Sequence, residues 1–123
     1  MTRGGRLERW AKLLEREPGR RLGTLPGTEY QPSDTRDTMR SIGSPLSVAF
    51  EDAVLRAEGL TSDTYGEAKR FFELADRQLH NIICYCHHGV AMPAETAAHH
   101  VRAAIDGSGN SGMFARLREA IVR

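Results

Sequence analysis

The sequence predicts an all-α domain: a compact bundle of four to six helices around an antiparallel helical hairpin, residues 64–88 against 93–106. Three observations predict it. Apolar residues recur at steps of three and four along most of the chain. Helix start and stop residues bracket those stretches. No stretch alternates apolar and polar residues with β-branched enrichment, so strand signals are absent.

The first helix is expected over 4–17. Leu7, Trp10, Ala11 and Leu14 form its apolar stripe, Glu8 and Lys12 make a favourable i,i+4 pair, and Pro18-Gly19 stops it. Residues 18–32 hold Pro18, Gly19, Gly23, Pro26, Gly27 and Pro32 and read as a long, mobile loop. Its glycines and Arg20-Arg21 lack the Gly-Lys-Ser/Thr ending and the preceding strand of a phosphate-binding loop. A short helix over 34–42 ends at Gly43.

The next helix starts well. Ser44 is an N-cap and Pro45 suits the first helical position. Leu46, Ala49, Phe50, Ala53, Val54 and Ala57 make one stripe, and Gly59 offers a left-handed stop. The longest helix is expected over 64–88. Thr64 and Glu67 have capping-box spacing, and Tyr65, Ala68, Phe72, Ala75, Leu79, Ile82 and Cys86 make a 3.5-residue seam. Gly89 breaks it. Pro93 opens a helix to 106, whose Ala94, Ala97, Ala98, Val101, Ala104 and Ile105 face inward. Residues 107–112 form a Gly/Ser linker before a last short helix over 113–122. The 123 residues thus read as one domain.

Composition narrows the function classes. The hydrophobic and charged fractions, 40% and 27%, are those of a globular chain and not a disordered one. The net charge of +1 lacks the basic excess usual in nucleic-acid modules. The N-terminal third is mildly basic and the middle mildly acidic, which fits solvated faces. Only Lys12 and Lys69 among the 17 basic residues are not Arg, a bias expected of a GC-rich bacterial genome. No apolar run spans a bilayer and the N-terminus lacks a secretory pattern. Cys84 and Cys86, two apart on one expected helix, point to nearly opposite faces and cannot bridge each other. A cytoplasmic location is the expectation.

One constellation carries potential chemistry. All five histidines and both cysteines fall between positions 80 and 100. His80, Cys84 and His87 share one helical face at i, i+4, i+7, with Asp76 one turn earlier. In the hairpin His80 stands level with His100. Thiolate and imidazole are the ligands zinc prefers, so His80, Cys84 and His100, with His87 or Asp76 as a fourth, are the candidate zinc ligands. The simpler reading keeps Cys86 as a small buried apolar group, Cys84 in the core or at a dimer contact, and His87 and His88 as helix-end residues favoured by the dipole. Cys84-Tyr85-Cys86-His87 is one residue short of a haem attachment site.

No paired carboxylates, nucleotide loop or Ser-His-Asp arrangement is recognisable, so a small non-enzymatic regulatory or adaptor protein is the leading expectation. It would act by binding a protein partner or by self-association. A helix-turn-helix DNA regulator is the first alternative, with 93–106 as recognition helix, although that helix carries few base-reading side chains. A zinc-binding helical sensor is the second.

Overall fold

The computed structural model describes residues 1–83 and 91–106, apart from the side chain of Glu29. Along the chain these residues form α1 (Arg3–Glu15), β1 (Arg21–Gly23), a 3-10 turn (Thr28–Tyr30), α2 (Ser33–Asp37) and α3 (Pro45–Glu51). Then follow α4 (Ala53–Ala57), α5 (Tyr65–Phe72), α6 (Asp76–Ile83), β2 (Ala91–Pro93) and α7 (Ala94–Ile105). Among the described residues the fold is mostly helical, with one two-stranded antiparallel sheet.

The central pair is α1 with α7, and α6 flanks α7 on another side. The expected stripes meet there. Leu7, Trp10, Ala11 and Leu14 of α1 are buried, as are Ala94, Ala97, Ala98, Val101 and Ala104 of α7. Small alanine side chains let the two backbones approach closely. The helices run antiparallel: Arg3 Nη2 donates to the Ala104 carbonyl at 3.0 Å, while Ala94 N–H donates to the Arg20 carbonyl near the other end. Arg102 clamps the pair, donating to Glu15 at 2.8 and 2.7 Å and to Glu8 at 2.7 Å. The anticipated Glu8–Lys12 pair is present but looser, at 3.9 Å.

The expected single helix from 64 is interrupted. Glu73 adopts a left-handed conformation, φ 52°. Leu74 N–H donates to the Lys69 carbonyl and Glu73 N–H to the Arg70 carbonyl, closing α5 with a Schellman motif. The physical reason is Leu74. It would leave the seam of a continuous helix, and the break lets it bury, 4% exposed. Gln78 then accepts from Ala75 N–H to begin α6. The seam itself survives, because Tyr65, Ala68, Phe72, Leu79 and Ile82 are all buried on either side of the break. Thr64 caps α5 through Glu67 N–H, but Glu67 turns to Thr61 instead of completing the box. Cys86 and the end of the expected helix lie outside the described residues, as do the 107–112 linker and the helix expected over 113–122.

The helix after Ser44 is also divided. Ser44 caps it and Pro45 begins it, as anticipated. Asp52 then leaves the helix and caps α4 through Leu55 N–H. The phase shifts, so Leu55 is buried while Ala53, Val54 and Ala57 are exposed. Gly59 follows with φ 117°. The short helix expected over 34–42 occupies only 33–37.

The expected absence of strands is corrected, and the first strand lies within the 18–32 stretch read as a loop. β1 pairs with β2, Leu22 opposite Met92, and both side chains are wholly buried. Leu25 is buried too, and its N–H donates to the Ile83 carbonyl. Three-residue strands are too short to show alternation in a sequence; packing over the α6–α7 end of the bundle specifies them.

Candidate functional site

At the C-terminal end of α1 the chain leaves a cleft of about 290 Å³. α1 supplies Leu13 and Leu14, β1 supplies Leu22, α3 supplies Val48, and α7 begins there with Ala94. These elements converge because Pro18-Gly19 ends α1 and turns the chain back, so that β1 crosses beneath the start of α7. Glu95 N–H donates to the Pro18 carbonyl at 2.9 Å and fixes that crossing. Leu14, Leu22 and Ala94 are buried and make an apolar floor.

Charges rim the cleft. Arg16, Glu17, Arg20 and Glu51 line it and are exposed, and none of the four forms an ion pair with another described residue. Asp52, also on the rim, differs. Its two carboxylate oxygens accept from Arg9 at 2.9 and 2.8 Å, and that bond holds its pKa below the usual carboxylate range despite partial burial. The cleft therefore presents an apolar base and exposed charges of both signs, of which Arg16 also acts at longer range on Asp52.

Several other carboxylates are committed to the fold. Asp63, 8% exposed in its side chain, accepts two bonds from Arg40 and one from Ser47 Oγ, and Arg40 lowers its pKa. Glu67 accepts from Arg70 twice at 2.7 Å and from Thr61, which brings its pKa down to about 2. Burial raises the pKa of the Tyr65 hydroxyl, which donates to Asp76 at 2.9 Å.

The described residues include part of the sequence-predicted site. His80 on α6 and His100 on α7 are half-buried, on helices that pack together. Cys84 and His87 lie outside the described residues. Asp76 stands at the start of α6 and is taken up by Lys69 at 3.0 Å, Tyr65 and Arg36. Among the described residues, no three His, Cys, Asp or Glu side chains gather as a metal site. His99 is exposed, its ring centroid 5.4 Å from that of His100.

The proposed recognition helix, α7, presents Glu95, His99 and Ala103 outward, and its Arg102 is held by α1. No described helix is long and apolar enough to cross a membrane.

The cleft was not legible in the sequence. Its one signal was Leu22, an apolar residue within a stretch rich in Gly and Pro. Searches of protein-family models, curated proteins and solved structures find nothing that matches this chain.

Proposed function

We propose that this protein is a small non-enzymatic binding module that seats a short segment of a protein partner in the α1–α3–β1–α7 cleft. The cleft's composition carries the reading: an apolar floor ringed by Arg16, Glu17, Arg20 and Glu51, free of ion pairs with other described residues. Its volume lies at the bottom of the range for small-molecule pockets, roughly 300–1,000 Å³. That suits one or two apolar side chains better than a nucleotide-sized cofactor. Exposed charges of both signs at the rim favour a partner segment with flanking charges, since such groups steer association and fix register. Commitment of Asp52 to Arg9 leaves the cleft without a free buried carboxylate for acid–base work, which supports binding over catalysis. The position of Arg102 favours this reading over a DNA-binding one, because the helix has its one Arg or Lys side chain engaged by α1.

Selection from a random peptide library, followed by affinity measurement of the winning peptides, tests it. Peptides with an apolar anchor and flanking charges are expected, with binding weakened about tenfold or more by Val48→Asp and by Arg20→Glu. Winners that ignore both substitutions overturn the cleft assignment. Mass measured against concentration in the same preparation reports self-association.

A second reading, zinc held through His80 and His100, draws on the packing of α6 against α7. Native mass spectrometry of tag-free protein before and after chelation tests it. One zinc per chain, lost in His80→Ala, supports that reading; a metal-free mass with a chelator-insensitive melting temperature removes it.

A further inference from the structure

Residues 30–42 cross the body of the protein almost without burying themselves. None of them is fully buried, and Tyr30 and Ile42 at the two ends are 83% and 86% exposed. Their one helix, α2, buries no residue. Met39 is the single apolar side chain of the segment that packs against the core.

Polar contacts hold the segment down. The Arg36 guanidinium lies 5.7 Å from the Tyr65 ring centroid and 3.7 Å from Asp76. Tyr65 N–H, at the first position of α5, donates to the Met39 carbonyl at 2.9 Å. Arg40 forks onto Asp63 at 2.8 and 3.1 Å, and the single Ser47 Oγ proton is shared between Asp63 and the Ser41 carbonyl, 3.1 Å away. Between these pins α2 touches the backbone of α5. A Cβ at Gly66 would stand 2.8 Å from Asp37 Cβ and 3.0 Å from the Asp37 carbonyl oxygen. Glycine at 66 is what allows the segment to lie flat.

We propose that residues 30–42 form a strap that undocks from α5 and α6 as a unit while the α1–α7 core stays folded, with Arg40–Asp63 as its latch. The warrant is a contrast in what opening exposes. Undocking trades polar contacts for contacts with water and uncovers little apolar surface. Global unfolding exposes Trp10, Phe71, Phe72 and the buried stripes of α1 and α7. Segments of the first kind open locally, well below the free energy of global unfolding. Opening frees the first amide of α5 from the Met39 carbonyl and lifts the Arg36 guanidinium off the Tyr65 ring. The device is therefore a switch in the accessibility of the α5 surface.

Hydrogen–deuterium exchange on the full chain tests this. The amides of Arg36, Met39 and Tyr65 are expected to exchange together, at least about tenfold faster than those of α1 and α7. Tyr65 is the diagnostic member, since it belongs to α5 by sequence and to the strap by its hydrogen bond. Asp63→Asn removes the latch charge, and Gly66→Ala wedges Asp37 away without altering any charge. Each is expected to accelerate the strap amides a further tenfold or so, leaving α1 and α7 unchanged. Alanine favours helix over glycine, so a faster strap in Gly66→Ala does not reflect a damaged α5. Strap amides that exchange at the rate of α1 and α7, or variants that accelerate every segment equally, overturn the proposal. Should Asp63→Asn fail to fold, Gly66→Ala alone decides it.

Discussion

Trp10 lies flat on Phe72, ring centroids 4.3 Å apart and planes 15° from parallel. The indole also donates to the Pro45 carbonyl at 2.9 Å. One side chain of α1 thus joins α5 by stacking and α3 by a hydrogen bond, and it is wholly buried. Trp10→Ala is expected to cost about 3–5 kcal/mol through the cavity it leaves. Trp10→Phe retains a ring and loses the N–H, at about 1–2 kcal/mol. Urea unfolding followed by circular dichroism measures both, since the substitution removes the sole tryptophan.

Glu73 holds the left-handed position that closes α5, where glycine is unstrained. Its carbonyl accepts from Arg3 Nε, a bond that any residue at 73 retains. Relief of roughly 1–2 kcal/mol of strain, against about 0.5–1 kcal/mol of added chain entropy, leaves Glu73→Gly about 0.5–1 kcal/mol more stable. Glu73→Val is expected to move the melting temperature the opposite way.

Glu67 ionises at about 2 in the folded protein, below its ordinary value of 4.5, chiefly through its bonds from Arg70. Its contribution is present in full above about pH 4.5 and is lost as pH falls toward 2. The stability difference between wild type and Glu67→Gln is expected to be largest near neutrality and to shrink across that window. Paired urea titrations at several pH values read it directly.

Arg102 bridges Glu8 and Glu15 in a partly exposed position. Exposed ion pairs are worth about 0.2–1 kcal/mol each and are screened by salt. Arg102→Met is expected to lose about 1 kcal/mol at low salt and less in high salt, as thermal melts at the two ionic strengths would report.

The stripes of α1 and α7 and the caps at Ser44 and Thr64 were legible because each is a local pattern. The breaks at Asp52 and Glu73 were not. The seam continues past Glu73 and changes phase past Asp52, and at each position what ends the helix is a competing demand: Asp52 is drawn to Arg9 and to capping α4, and Leu74 to the core. Arg9 lies 43 residues from Asp52, beyond any local window. The strands escaped for the same reason, as Leu22 gains its meaning only opposite Met92. The cleft depends on four separate elements and has no motif of its own. Of the proposed zinc ligands, the sequence placed His80 and His100 on helices that do pack together, while Asp76 is engaged by Lys69 and Tyr65 in a way its spacing did not foretell.

The pairing of β1 with β2 has a consequence for how the molecule is made. Arg21 meets its partner strand 70 positions further on, and α1 is covered mainly by the last described helix. During synthesis the part of α1's apolar face that α7 covers leaves the ribosome well before α7 and stays uncovered until α7 follows it out. Nucleation by early segments alone is thereby disfavoured, because the closing contacts span nearly the whole described chain. A nascent chain halted before residue 94 is expected to remain sensitive to protease and bound by chaperones, and one released after residue 106 to become resistant in a single step.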